Sequence, residues 1–564
     1  MFCLAAQGEP LPAGPQVATF ISTIDGSEQP YGLYLPKYYD AHRKYPLVVM
    51  LHGAGSNHRL ALRRVFGKSN LNGESDAEAT KYFPPWKDVE YIVASPLARG
   101  TMGYQGLPEQ DVYDVLADVE KRFTIDENRV YLTGLSMGGG GTLWIGLTHP
   151  DIWAAIAPVC PAPPAGTILL APNALNIPVQ VSQGDVDQSV NPAKTREFVD
   201  HLRLFGTKIE YHEYPGVGHN VWENAYKDEA IFSWFDHYRR EPFPDRVRFV
   251  SSHYRYDHAY WVHFDELTPG TLAAINAKFT GRNELTITTA DLDAFTLNLT
   301  GHPKFNVKRA VKVELDGQKL DVKAGDSISF TKKGWVWSVG HMLPAPQHWN
   351  ITMNHESGIG LQNGPAGLAP GPKRPGAEGP LCEIASRKQI YVYATADHPG
   401  QDELDKRKDQ ATQAAHWAAV TFPVMADTEL SGADLEKCDL VLFGNRENNS
   451  VIARFGDQLP LALKPDAAGY GLVYIYPVGD RYILVNSGLP WWTLPKGVRT
   501  AGGRNGGPAG MLRSTDVDFL LFKESANDVV ADGHFDHNWQ LPAQALREFK
   551  SGDVVTVKAT AAAK

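Results

Sequence analysis

Six short runs, at residues 47–51, 91–94, 129–133, 154–157, 178–181 and 209–212, constrain the fold most. Each is continuously apolar or β-prone rather than alternating, as strands buried on both faces must be. Helical patterns at 108–123, 139–148, 193–205 and 222–238 lie between them, the first with Pro108 in its opening turn. This β/α alternation, from Thr19 to Tyr238, predicts a mostly parallel sheet covered by helices on both faces.

At about 100–200 residues per domain, a chain of 564 residues should hold about three or four. Beyond residue 243 the texture changes to alternating aromatic and polar residues at 254–264, 283–289 and 311–315, with turn pairs Asp316-Gly317 and Ala324-Gly325 between runs. A β-sandwich over 244–343 follows from that pattern. Proline and glycine then accumulate over 344–379, the signature of a linker or a long loop. Strand patterns at 389–394, 439–443, 471–476 and 482–486, with a helix at 403–418, make 380–564 an accessory α/β domain. It has no G-x-G-x-x-G or P-loop after its first strand, and so no nucleotide cradle.

The charge balance, 54 Lys+Arg against 64 Asp+Glu, gives −10 without a long basic run, so nucleic acid is excluded as a partner. No apolar stretch approaches the roughly 20 residues that span a bilayer, which argues against membrane insertion. The opening Met1-Phe2-Cys3-Leu4-Ala5-Ala6-Gln7 reads as the clipped end of a signal peptide, so residues 1–16 are assigned to a leader remnant and the protein to a secreted or periplasmic location. Four cysteines, Cys3, Cys160, Cys382 and Cys438, cannot build a disulfide framework; Cys382 and Cys438 are the one pair considered for bonding.

Chemistry enters at Gly134-Leu135-Ser136-Met137-Gly138, which follows a strand and precedes a helix. G-x-S-x-G in that context forms a turn so sharp that only glycine fits beside the serine. A serine hydroxyl is a weak nucleophile and needs an imidazole to take its proton and a carboxylate to orient that imidazole. Downstream, Gly184-Asp185-Val186-Asp187 follows a strand, and Pro215-Gly216-Val217-Gly218-His219 lies in a later loop. Carboxyl ends of strands are where open α/β sheets place their sites. Small residues in Leu51-His52-Gly53-Ala54-Gly55-Ser56 let backbone N–H groups approach an oxyanion. The expected donors are Met137 N–H and Ala54 N–H, with Gly55 as substitute.

The segments LHGAGS, RVYLTGLSMGGGGTLW, GDVDQSV and GVGH resemble the α/β-hydrolase superfamily, and within it esterases related to feruloyl esterases, poly(hydroxybutyrate) depolymerases and "predicted peptidase" proteins. That resemblance covers roughly residues 19–240, under half the chain, within a catalytic domain assigned to 17–243. It implies Ser136 as nucleophile, His219 as base and Asp187 as acid, with Asp185 the alternative. It also implies a serine carboxylic ester hydrolase whose partner is an acyl ester, feruloyl or acetyl, attached to plant cell-wall polysaccharide. The elbow resembles that of cutinase-like polyester hydrolases too, although those carry an aromatic residue where this chain has Ala54. A prolyl-oligopeptidase-type peptidase and a non-catalytic glycan-binding protein are the other readings.

Only about 25 residues separate the runs at 154–157 and 178–181, too few for a large lid. The cleft is therefore expected to be open, walled by Arg99, Tyr104 and Gln105 and by Trp144, Trp153 and Trp222, with Tyr104, Trp144 and Trp222 assigned to substrate binding. Asp532-Gly533-His534-Phe535-Asp536-His537 and the histidines at 341, 348 and 355 fit no ligand framework and are read as solvated loops. No metal and no cofactor is required by this chemistry.

Overall fold

The structure, a computed structural model, describes residues 11–340, 371–479, 481–495 and 507–558. It divides into two compact units, Met1–Tyr104 with Asp111–Pro242, and Gln105–Gln110 with Phe243–Lys564.

The first unit is built on eight strands: β1 (Gly14–Ile21), β2 (Glu28–Leu35), β3 (Tyr45–Leu51), β4 (Ile92–Pro96), β5 (Ile125–Leu135), β6 (Ala155–Val159), β7 (Val179–Gly184) and β8 (Ile209–Tyr214). Their spatial order is β1-β2-β4-β3-β5-β6-β7-β8. All pairs from β4 to β8 are parallel, whereas β1 and β2 join antiparallel at one edge. Every residue of β3, β4 and β6 is buried, which is why their sequences do not alternate. Seven helices accompany the sheet: α1 (His58–Val65), α2 (Asp76–Ala79), α3 (Leu107–Arg122), α4 (Met137–Thr148), α5 (Pro192–Leu204), α6 (Trp222–Ala225) and α7 (Ala230–Phe235). Asn191 caps α5 and Pro192 opens it, while Lys121 and Arg122 close α3 where the helix dipole favours cations. Leu62 and Val65 of α1 and Phe232 and Phe235 of α7 share one core cluster with Val48, Met50 and Tyr131 of the sheet.

Two expectations are corrected here. Residues 14–16, assigned to a leader, are part of β1, where Gly14 pairs with Leu35 and Gln16 with Leu33; residues 1–10 lie outside the described residues. The helix expected at 222–238 is broken into α6, a 3₁₀ turn at Lys227–Glu229 and α7. Asp228 and Glu229 both take left-handed backbone there, at φ 54° and 56°. The cause is tertiary: Tyr226 is fully buried with its hydroxyl 2.8 Å from Thr133 Oγ1, and its carbonyl packs against Gly67.

On α3, Glu120 is pushed up to about 7, first by burial and then by Glu127, against the opposing pull of Arg240. A carboxyl whose folded pKa is raised costs nothing below about pH 4.5; the cost grows as pH rises and is complete above about 7. Glu120→Gln should therefore stabilise the protein by about 1–3 kcal/mol near pH 8 and by nothing near pH 4. Thermal melts at the two pH values check this.

The second unit begins with β9 (Arg246–Ser251), β10 (His258–Ala259), β11 (Val262–Leu267), β12 (Ala273–Gly281), β13 (Glu284–Ala290), β14 (Leu292–Leu297), β15 (Val311–Leu315), β16 (Gln318–Val322), β17 (Ile328–Lys333) and β18 (Val336–Gly340). These form two five-stranded sheets, β16-β15-β13-β12-β9 and β10-β11-β14-β17-β18. Alternate residues such as Val311, Val313 and Leu315 enter one shared core with Phe249, Phe264, Phe295 and Phe330. The alternation at 254–264 is not one strand: a 3₁₀ turn at Tyr254–Tyr256 precedes β10, and Tyr260 at φ 55° separates β10 from β11.

A seven-stranded sheet follows, in the order Val424–Ala426, Gln389–Tyr393, Asp439–Phe443, Arg481–Gly488, Tyr470–Val478, Phe519–Lys523 and Val529–Gly533. Its first four strands are parallel. Of the expected linker, residues 344–370 lie outside the described residues, and 371–379 are built into this unit rather than free. Lys373 is buried in an ion pair with Asp518, and the Glu378 carboxylate accepts from the backbone of Tyr254 and Arg255. Cys382 and Cys438 are free thiols, which corrects their pairing. His341, His348 and His355 fall outside the described residues. Among the described residues no helix is long and apolar enough to cross a membrane.

Candidate active site

β5 delivers Ser136 into a backbone conformation that only a few residue types tolerate, φ 54° and ψ −115°, before α4 starts at Met137. The turn is held by Ser136 N–H donating to Val159 O at 2.9 Å, and by Ser136 O accepting from Gly140 N–H at 2.9 Å and Ala162 N–H at 3.1 Å. Its flanking glycines are forced by backbone crowding: a Cβ on Gly134 would lie 2.4 Å from Gly138 O, and one on Gly138 only 2.2 Å from Leu51 O. Gly138→Ala is therefore expected to destabilise the protein by about 3 kcal/mol. Gly218→Ala, where a Cβ meets nothing within 4 Å, should change stability by less than about 0.5 kcal/mol. Urea unfolding of both variants tests the contrast.

Two further loops reach the serine. β7 ends at Gly184, and Asp187 follows with a fully buried side chain; β8 ends at Tyr214, and His219 follows with its side chain 25% exposed. His219 Nδ1–H donates to Asp187 Oδ2 at 2.8 Å, and His219 Nε2 lies 3.0 Å from Ser136 Oγ. Asp187 Oδ1 accepts from Ser189 N–H at 2.8 Å and Val190 N–H at 2.9 Å, and Gln183 Nε2 donates to Oδ2 at 3.1 Å. Burial pushes the Asp187 carboxyl up, but the His219, Val190 and Ser189 hydrogen bonds prevail and hold it below the usual carboxylate range. Asp185 instead accepts from Gly216 N–H at 2.7 Å, tying the two loops together. Gly184 allows that approach, since a Cβ there would sit 2.3 Å from both Val217 O and Gly218 O.

Met137 N–H stands at the first turn of α4, where helix N–H groups have no intrahelical acceptor and the dipole favours a negative atom. Ala54 is exposed after β3, whereas Gly55 N–H is engaged by Thr101 Oγ1 at 3.0 Å. The buried His52 ring anchors this loop, Nδ1 lying 2.8 Å from Gly53 O and Nε2 2.7 Å from Leu97 O.

Several expected wall residues are elsewhere. Tyr104 is 2% exposed, donates to His52 O at 3.1 Å and covers Gly141 with its ring, so it packs behind the loop rather than lining a cleft. Arg99 is buried between Asp25 and Asp111, and Trp153 is fully buried. Trp144 is eight residues from Ser136, about 12 Å along the axis of α4, and only partly buried. Trp222 does reach the site: its ring meets His219 edge-on at 5.6 Å, and its indole N–H is buried without a hydrogen-bond partner. Sequence reasoning passed over His52, Gln183 and Cys160. Gln183 lies one residue before Gly184 at the end of β7, a position that carried a signal only in retrospect of the acid's lone pairs.

A group of three potential ligands, Cys160, Asp187 and His219, is found among the described residues; the 532–537 cluster does not form one. As arranged, Ser136, His219 and Asp187 can move a proton from a hydroxyl to an imidazole while a carboxylate stabilises the imidazolium.

Residues 22–229 match the family model described as "Putative esterase". Over 84 residues the chain is 40% identical to a poly(3-hydroxybutyrate) depolymerase of Ralstonia pickettii, a match covering 14% of this chain and 15% of that protein. Among solved structures it is similar to a thermostable esterase (27% identity, 40% of this chain and 63% of that one, TM-score 0.33). Another is a ferulic acid esterase of the anaerobic fungus Anaeromyces mucronatus (18% identity, 39% and 91%, TM-score 0.30). The chain thus spans less than two thirds of the first two. The family match and the eight-stranded sheet fall on the same region, residues 22–229, which has an esterase-like α/β-hydrolase fold.

Proposed function

We propose that the protein is a serine carboxylic ester hydrolase acting through an acyl-enzyme. The continuous hydrogen-bonded chain from Ser136 Oγ through His219 to the buried Asp187 carries this reading. Ser136 Oγ attacks the ester carbonyl as His219 Nε2 takes its proton, and Met137 N–H and Ala54 N–H receive the developing oxyanion. His219 then protonates the departing alcohol. Water activated by the same imidazole frees the acid and restores Ser136.

The substrate class is proposed from the resemblance: feruloyl or acetyl esters on plant cell-wall polysaccharide. Residues 244–343 and 380–564 serve as a sandwich and an accessory α/β domain that place the catalytic region on such a polymer, outside the cytoplasm. Trp222, beside His219, is the aromatic residue best placed to meet an aryl acyl group.

Activity against p-nitrophenyl acetate, methyl ferulate, acetylated xylan, poly(3-hydroxybutyrate) and a peptide panel tests the proposal. Hydrolysis of the first three with a burst of alcohol release is the expected result. Cleavage confined to peptides would overturn it.

A further inference from the structure

Cys160 follows β6 directly and has no part in the proposed reaction, yet it is fully buried against the site. Its Sγ, a carboxylate oxygen of Asp187 and a ring nitrogen of His219 all lie within 4.8 Å of one another. Its place is fixed from the backbone: Cys160 N–H donates to Ser182 O at 2.8 Å, and Ser136 N–H, in the turn after β5, is held by the adjacent Val159 carbonyl. The residue itself is in left-handed backbone at φ 36°, so the β6 end is bent to bring the thiol toward the acid and base. Burial holds the thiol protonated, which makes it a poor target for alkylating agents.

One sulfur, one imidazole nitrogen and one carboxylate oxygen form the donor set of a borderline or soft divalent ion, and three such ligands leave a fourth position for water. At tetrahedral geometry the sulfur would close on the other two donors by at most about 1 Å, while Nδ1 and Oδ2, 2.8 Å apart, would open by about 0.5 Å. We propose that Cys160, Asp187 and His219 constitute an inhibitory site for Zn²⁺ or Cd²⁺. The ion replaces the hydrogen bond between His219 and Asp187. As the dication enters, the thiol S–H loses its proton to solvent and the His219 ring proton moves from Nδ1 to Nε2 by exchange with solvent, and S, N and O become ligands without any change of oxidation state. His219 is the partly exposed member and forms the entrance. With Nδ1 on the metal, the imidazole can no longer be charged beside Asp187, and Ser136 loses its base. Hard ions such as Mg²⁺ and Ca²⁺, which need several oxygens, do not fit the set.

The inhibition arm of the test rests on the hydrolase reading; the binding arm does not. Cd²⁺ added to the full-length protein should produce a thiolate-to-metal charge-transfer band in the ultraviolet, with one proton released per bound ion, and should suppress p-nitrophenyl acetate hydrolysis. Cys160→Ser and Cys160→Ala should keep their hydrolysis, lose the band and weaken inhibition by about 100-fold. Having two replacements guards against one that fails to fold. His219→Ala should also weaken the band. A band and inhibition as strong in both Cys160 variants as in the parent would overturn the proposal, as would equal inhibition by Mg²⁺. If the parent hydrolyses no ester but shows the Cys160-dependent band, the hydrolase reading fails and the metal site stands.

Discussion

Ser136→Ala is expected to lower kcat on p-nitrophenyl acetate by about 10⁶-fold while leaving the melting temperature almost unchanged. The substitution removes one oxygen, the atom 3.0 Å from His219 Nε2, and none of the backbone bonds that hold the turn. Alanine meets the same left-handed backbone as serine, so folding is not relieved or burdened. What remains should be the part supplied by the N–H groups of Met137 and Ala54 and by binding, about 10³–10⁴ over water. Steady-state rates, with fluorophosphonate labelling of parent and variant, measure the effect. A variant within tenfold of the parent would remove Ser136 from the chemistry.

Asp187→Asn should cost about 10⁴-fold in kcat, and the reason lies in the other side of the carboxylate. Ser189 N–H and Val190 N–H both point at Oδ1, so an asparagine must put its carbonyl oxygen there. Its NH₂ then faces His219 Nδ1 and the Gln183 amide, both of which donate to Asp187 Oδ2 in the parent. His219 is driven to carry its proton on Nε2, aimed at Ser136, and cannot act as a base. Asp185→Asn should leave kcat within a few-fold, because Asp185 accepts only from the Gly216 backbone and an asparagine oxygen can do the same. The two rates, compared side by side, separate the acids; equal losses would refute the distinction.

The inner sheet was readable because burial on both faces writes itself as unbroken apolar runs, as in β3, β4 and β6, whereas the half-buried edge strand β8, with Glu210, His212 and Glu213, was marked only by β-prone residues. Ser136 and its glycines were readable because backbone crowding at a tight turn leaves no other residue type. Elsewhere local pattern was overruled by packing. Residues 222–238 have helical periodicity, but anchoring Tyr226 in the core breaks the helix at Asp228 and Glu229. Tyr104 carries no mark that distinguishes a ring stacked over Gly141 from one facing solvent. Likewise the proline- and glycine-rich 371–379 contains Lys373 and Glu378, whose buried partners, Asp518 and the backbone at 254–255, are remote in sequence.

The glycine run at 138–141 has an evolutionary consequence. Gly138, Gly139 and Gly140 abut the carbonyls of Leu51, Val159 and Ala162, so the floor beneath Ser136 is peptide against peptide. Such a floor offers natural variation no side chain to alter, and almost any replacement there collides. Divergence toward new acyl groups must therefore run through the rim, at Ala54, Trp222 and the chain after Cys160, while the reactive centre stays inherited unchanged.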